Sequence, residues 1–180
     1  MRTALLLIDV QQSFTRRPHW GSDDVPAFLA RCNELIAGCA ARGVPVVRIF
    51  HTDAPESADN PFAHASGLIR PLEGLLPFDA AATFEKHRHS ALVGTGLSIW
   101  LREQGINRLV IAGIRTEQCC ETTTRHASDE GFEVDYVTEA TVTTDLPGLP
   151  AALIKQRTAA VLAGRFATVC TVAEALARAR

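Results

Sequence analysis

Several features that would point to a partner or a compartment are missing from this chain. Its 180 residues include 18 Lys or Arg against 20 Asp or Glu. There is thus no basic excess, and no cluster of basic residues offers the footprint that a nucleic-acid backbone requires. No apolar run approaches the ~20 residues of a membrane-spanning helix. Met1-Arg2-Thr3 leads straight into a short apolar strand without the layout of a signal peptide. The five cysteines, an odd number without regular spacing, do not compose a disulfide framework. Together these absences predict a reducing, cytoplasmic setting. No Walker A sequence occurs, and Gly94-Thr95-Gly96 lacks both the strand end and the third glycine of a dinucleotide fingerprint. The histidines form no metal motif, because His51-Thr52-Asp53 with the distant His64 has no ligand-type spacing. Neither a cofactor nor a metal is expected, and the partner expected is a small molecule.

What is present is apolar and patterned. Hydrophobic residues make up 47% of the chain. At a prior of roughly 150 residues per domain, residues 1–180 read as one domain with a sizeable core. Thr3 to Ile8 is continuously apolar or small, as suits a parallel strand buried on both faces. Val25, Phe28, Leu29, Cys32, Leu35, Ile36 and Cys39 recur at helical spacing, and Gly43 stops that helix. Val44–Phe50 is the second strand. Residues 51–82, rich in Asp, Pro, Ser, Asn and Gly, form a long loop of the kind that lids or rims a site. A short strand ends near Lys86, and Thr95 can cap a helix through Leu97, Trp100 and Leu101. Strands are expected at Arg108–Ala112, Glu133–Thr138 and Phe166–Cys170. Helices are expected at Cys119–Glu130 and over most of Asp145–Ala163, and a final one opens with the capping box Thr171-Val172-Ala173-Glu174. Strand and helix alternate throughout, which predicts an α/β fold with a parallel sheet.

Ligands bind such sheets beyond the carboxyl ends of the strands. Three chemically able residues fall there. Asp9 follows Ala4-Leu5-Leu6-Leu7-Ile8, Lys86 follows Ala82-Thr83-Phe84-Glu85, and Cys119 follows the strand that breaks at Gly113. Taken singly, Asp9 could be a loop carboxylate and Lys86 a solvated surface charge. The basic run Lys86-His87-Arg88-His89 could be an exposed turn or an anion-binding rim. Cys119 begins a helix after a polar turn, where exposure and the helix dipole favour a thiolate. Cys120 beside it raises a redox reading, but the pair is not a Cys-x-x-Cys motif, and Cys120 is expected to pack towards the sheet. Carboxylate, ammonium and thiol together suggest a nucleophile with its base and its charge stabiliser.

Four segments, in order, resemble the isochorismatase-like cysteine hydrolases, a family that includes nicotinamidases and N-carbamoylsarcosine amidase. They are Leu6-Leu7-Ile8-Asp9-Val10-Gln11-Gln12-Ser13-Phe14, then Phe84-Glu85-Lys86-His87-Arg88-His89-Ser90-Ala91-Leu92 with Thr95 and Leu97, then Gly113-Ile114-Arg115-Thr116-Glu117-Gln118-Cys119 with Thr123 and Ala127, and Thr138-Glu139-Ala140-Thr141. The resemblance implies a three-layer fold with a six-stranded parallel sheet flanked by helices. It also implies a homo-oligomer, dimer or tetramer, and a catalytic triad of Asp9, Lys86 and Cys119. A cis peptide at Ile114–Arg115 is implied as well, aiming the backbone N–H groups of Arg115 and Cys119 at one point as an oxyanion hole. Substrate contacts are assigned to Phe14, Gln11, Arg115 and His51.

The activity so implied is hydrolysis of a C–N bond, amide or carbamoyl, through a thioacyl-enzyme. Arg48-Ile49-Phe50-His51-Thr52-Asp53 departs from the Asp-x-His metal motif of nicotinamidases, which argues against both a metal and nicotinamide. Arg115 stands where the family usually has a small residue, and it could offer a guanidinium to a substrate carboxylate or face solvent or a subunit interface. Three rivals remain open at this point. They are an isochorismatase-type vinyl-ether hydrolase that does not need the thiol, a redox protein using Cys119 and Cys120, and a non-catalytic scaffold.

Overall fold

The computed structural model describes residues 1–18, 20 and 24–180. Six strands form one sheet: β1 (Arg2–Ile8), β2 (Val46–His51), β3 (Ala82–Lys86), β4 (Ile106–Ile114), β5 (Glu133–Val142) and β6 (Thr168–Val169). Their order is β3-β2-β1-β4-β5-β6, and every pairing is parallel. Among the described residues five α-helices complete the fold: α1 (Asp24–Ala40), α2 (Leu97–Glu103), α3 (Glu121–Asp129), α4 (Ala151–Leu162) and α5 (Val172–Arg178). None of the described helices is long and apolar enough to cross a membrane.

The alternation of side chains along a strand divides the interior in two. Leu5 and Leu7 of β1 join Phe28, Cys32 and Leu35 of α1 and Val172, Ala175 and Leu176 of α5 in one core. Ala4, Leu6 and Ile8 point the other way, towards Leu97 and Leu101 of α2, Ala127 of α3 and Leu162 of α4. The three expected layers are therefore present, and β1 is apolar on both faces because each face meets a layer of helices.

The chain runs outward from β1 through β2 to β3 and then crosses back to lay β4 on the other side of β1. That reversal opens a crevice at the carboxyl ends of β1 and β4, where α/β sheets bind ligands. Gly113 sets how closely the two strands approach. It pairs with Ile8, its φ is 140°, and a Cβ there would lie 2.0 Å from the Ile8 carbonyl oxygen.

Several boundaries differ from those read in the sequence. β4 begins at Ile106 and continues to Ile114, and β5 continues to Val142. Beyond a register shift after Ile111, Gly113 and Ile114 pair with Thr141 and Val142. α4 starts only at Ala151: Pro147 and Pro150 have no N–H to give a helix, and the Asp145 carboxylate instead accepts the Ala151 N–H at 2.7 Å. β6 is just Thr168–Val169, because the neighbouring residues turn back onto the end of α4. The N-cap of α2 is Gly96, although Thr95 Oγ1 still accepts the Leu97 N–H at 3.2 Å. The helix expected from Cys119 opens instead with a π-helical turn, Thr116–Cys120, ahead of α3. The capping box of α5 forms as read, with Thr171 and Glu174 bonded reciprocally.

Gly113→Ala should cost about 3 kcal/mol or more, since β1 and β4 must separate to admit the methyl group. Urea denaturation monitored by circular dichroism measures this; a loss within about 0.5 kcal/mol, the range of an ordinary surface change, would show that the approach is not limiting.

Candidate active site

Asp9 takes the first position after β1 with φ 57°, a left-handed conformation that few residues other than glycine adopt and that Asp tolerates better than most. Its N–H donates to the Ile49 carbonyl at 2.9 Å, and its carbonyl accepts from Gln11 N–H at 2.8 Å. The side chain is fully buried. Burial raises the pKa of the carboxyl above the usual value, against the opposing pull of Lys86.

Lys86 closes β3 and is itself 0% exposed. Its Nζ stands 2.8 Å from Asp9 Oδ2, 3.3 Å from Cys119 Sγ, 3.1 Å from His51 Nδ1 and 3.1 Å from the Arg88 carbonyl oxygen. Burial works to lower its pKa, but Asp9 and then Cys119 more than offset this, and the group stays above the usual lysine value. Lys86 is therefore an ammonium at neutral pH.

Cys119 is held by the π-helical turn that follows β4. The turn is tied down from beneath: Tyr136 Oη donates to the Thr116 carbonyl at 2.8 Å, and the hydroxyls of Thr116 and Thr141 bond at 2.9 Å. Thr123 Oγ1 accepts the Ala91 N–H at 3.0 Å, which joins the cysteine segment to the lysine segment. The Ile114–Arg115 peptide is cis. The Arg115 carbonyl accepts the N–H groups of Gln118 and Cys120, each at 3.2 Å.

The expected exposed thiolate is not what the structure shows. Cys119 is only 6% exposed, and its pKa is pushed up to about 12. Burial is the main cause, the neighbouring Asp9 carboxylate adds to it, and Lys86 only partly compensates. At rest the group is a thiol. Cys120 is wholly buried in the second core, and burial likewise raises its thiol.

His51 ends β2, pairing with Lys86 across the sheet. An ammonium has only protons to give, so Nδ1 is the acceptor and the ring proton sits on Nε2, 3.0 Å from Asp53 Oδ2. Burial and Lys86 lower the His51 pKa despite Asp9 and Asp53, which keeps the ring neutral. His64, the other residue considered with this pair, faces Glu85 Oε2 at 3.0 Å instead. No three His, Cys, Asp or Glu side chains converge as metal ligands among the described residues.

A cavity of about 580 Å³ opens over the thiol, within the range of small-molecule sites. Phe14, His51 and Arg115, three of the four residues expected to contact a substrate, line it. Gln11 does not: its buried amide donates to Ser13 Oγ at 3.0 Å and to the His51 carbonyl at 2.9 Å, and accepts the His51 N–H at 2.7 Å. It fixes the end of β2 rather than a ligand, because both halves of the amide are already committed. The 51–82 loop contributes Asp53 and Phe62, and the ring of Phe62 packs edge-on against Phe14 with centroids 5.1 Å apart. Arg17, Arg88 and Gln118 also line the cavity and were not singled out in the sequence. The basic run after β3 was the one signal for Arg88. His19 and Gly21, in the polar run Arg16-Arg17-Pro18-His19-Trp20-Gly21, lie outside the described residues.

A model of the isochorismatase domain matches residues 3–174. The isochorismatase family protein YrdC of Bacillus subtilis is 28% identical, with 94% of this chain and 92% of that protein covered. Streptothricin hydrolase of Streptomyces noursei is 30% identical over 82% of this chain and 52% of its own length. Among solved structures, a cysteine hydrolase from Pseudomonas syringae superposes with a TM-score of 0.88 at 22% identity, covering 98% of this chain and 92% of that one, a likeness of fold.

The arrangement around Cys119 predicts a slow thiol. Its alkylation rate, followed by mass spectrometry, should still be rising with pH well above the ~8.5 of a free cysteine. Asp9→Asn removes a negative neighbour and should shift the profile to lower pH. Lys86→Met removes a positive one and should shift it higher. A profile centred near 8.5 and unmoved by either change would contradict the geometry.

Proposed function

The chain belongs to the isochorismatase family and is a hydrolase; from that premise we propose that it cleaves the C–N bond of a small amide or carbamoyl compound through Asp9, Lys86 and Cys119. The observation that carries this reading is the position of Lys86 Nζ, in contact with both Asp9 Oδ2 at 2.8 Å and Cys119 Sγ at 3.3 Å. A base, a nucleophile and the cation that steadies both charges thus meet at one point under a cavity of substrate size.

The raised thiol pKa shapes the mechanism. No standing thiolate is used; Asp9 takes the Sγ proton as the sulfur attacks the carbonyl carbon, and Lys86 balances the charge as it moves from carboxylate to sulfur. A carboxyl group with a raised pKa is the better base for this, since basicity increases with pKa. The tetrahedral oxyanion is assigned to the backbone N–H groups of Arg115 and Cys119, at about 3 kcal/mol of transition-state stabilisation per donor. Collapse breaks the C–N bond, and the leaving nitrogen takes the proton held by Asp9. A water molecule then gives a proton to Asp9 and attacks the thioacyl carbon. The acid leaves, and the proton returns to Cys119. An amine needs such protonation to depart, and in this scheme Asp9 provides it. Apart from the hydrolytic water, the groups used in this scheme are side chains and backbone of the chain itself. The proposal keeps the cytoplasmic setting and the homo-oligomer, for which sedimentation would distinguish dimer from tetramer.

Cys119→Ala should lower turnover of the responsive amide by about 10³-fold or more, in line with the loss of a covalent nucleophile. Rapid quenching of the wild type should reveal an acyl adduct on the Cys119 peptide. Undiminished turnover in Cys119→Ala with Asp9 still required would replace this chemistry with thiol-independent ether hydrolysis.

A further inference from the structure

Three arginines, Arg17, Arg88 and Arg115, line the cavity that opens over Cys119. Several arginines elsewhere face carboxylates: Arg108 meets Glu133 and Asp135, Arg125 and Arg157 meet Glu121, and Arg178 meets Asp135; others, such as Arg2, Arg42 and Arg48, donate to backbone carbonyls away from the cavity. Arg88 and Arg115 have no carboxylate partner among the described residues. Asp53 is the one carboxylate lining the cavity among the described residues, and His51 Nε2 stands 3.0 Å from it. Beneath the floor, Lys86 and Asp9 neutralise each other. Among the described residues, the open space above the thiol is therefore walled by three arginines against one carboxylate, a net positive surround.

The arms are also held in place. The Arg17 guanidinium lies 4.4 Å from the centroid of the Phe62 ring, and Arg88 Nη1 donates to the His87 carbonyl at 2.9 Å. His87 is anchored in turn, with Nδ1 2.9 Å from the Thr52 carbonyl oxygen. Arg115 is half-buried and follows β4 directly, four residues before the thiol. A guanidinium offers parallel N–H donors that match the two oxygens of a carboxylate.

We propose that the substrate carries a carboxylate besides the bond to be cleaved, and that Arg115 and Arg88 bind it while Arg17 closes the positive wall. The inference rests on the hydrolase reading for the words "substrate" and "cleaved"; the anion site itself does not. Arg115 and Arg88 are specificity-determining residues in this scheme. Amides that carry an acid group should be turned over in preference to their neutral counterparts.

The test needs no turnover. Cys119 is alkylated at about pH 9.5, where arginine remains charged, with iodoacetate and separately with iodoacetamide. The ratio of the two rates is compared with that for 2-mercaptoethanol, and the thiolate fraction cancels from each ratio. The wild-type ratio should exceed that of the free thiol by roughly tenfold, the effect of one charge pair worth about 1.4 kcal/mol. It should decline as salt is added, since exposed charges are screened, and fall towards the free-thiol value in Arg115→Gln and Arg88→Gln. A wild-type ratio no higher than that of 2-mercaptoethanol overturns the proposal, as does a high ratio that neither substitution moves. Turnover separates the two readings. An elevated ratio with no hydrolysis of any amide removes the hydrolase chemistry and leaves the anion site. Hydrolysis of neutral amides with a free-thiol ratio removes the anion site and leaves the chemistry.

Discussion

A fully buried ammonium organises this molecule. Taking such a charge out of water costs several kcal/mol even after the protein relaxes, and it is tolerated only where the partners are close and well placed. Lys86 meets that condition with a carboxylate, a sulfur, an imidazole nitrogen and a carbonyl oxygen, all within 3.3 Å. Each comes from a different part of the chain, so the ion can be satisfied only when β1, β2, β3 and the turn after β4 are assembled. The site is a by-product of no single element; it exists where the ends of those strands converge.

The topology makes that convergence cheap. Because β4 returns to the flank of β1 opposite β2, the residues that follow β1 and β4 face one another across a crevice, and a lysine on β3 reaches it from the side. Gly113 permits the close approach of the two central strands. The threonines and Tyr136 around the π-helical turn then supply backbone and hydroxyl partners that hold Cys119 over Lys86. Gln11 performs the same service for His51, and His51 for Lys86. Support of this kind surrounds the reacting groups with side chains whose hydrogen bonds are already committed.

Much of this could be read along the chain, and the parts that could not have physical reasons. Strand ends are visible because apolar runs stop at polar residues; hence Asp9, Lys86 and Cys119 were identifiable before their distances were known. The length of β5 was not, because Thr138-Glu139 interrupts the apolar run while the backbone ladder continues to Val142. The state of the thiol is hidden from the sequence for a related reason. The start of a helix signals a favourable dipole, but whether a side chain there meets water depends on the layers above it. Phe62 and Asp53 come from a loop without periodicity, so nothing in their spacing announces that they reach the cavity. His51 and Asp53 look like candidate ligands in sequence, yet the imidazole serves as an acceptor for lysine.

A buried thiol that keeps its proton is also chemically quiet. Peroxide and disulfides attack thiolates, and the first product of that attack, a sulfenic acid, begins a series that ends irreversibly. With its pKa near 12 and 6% of its surface exposed, Cys119 offers oxidants very little of the reactive form. The same burial that slows the thiol towards alkylating agents thus also keeps the resting side chain off that series.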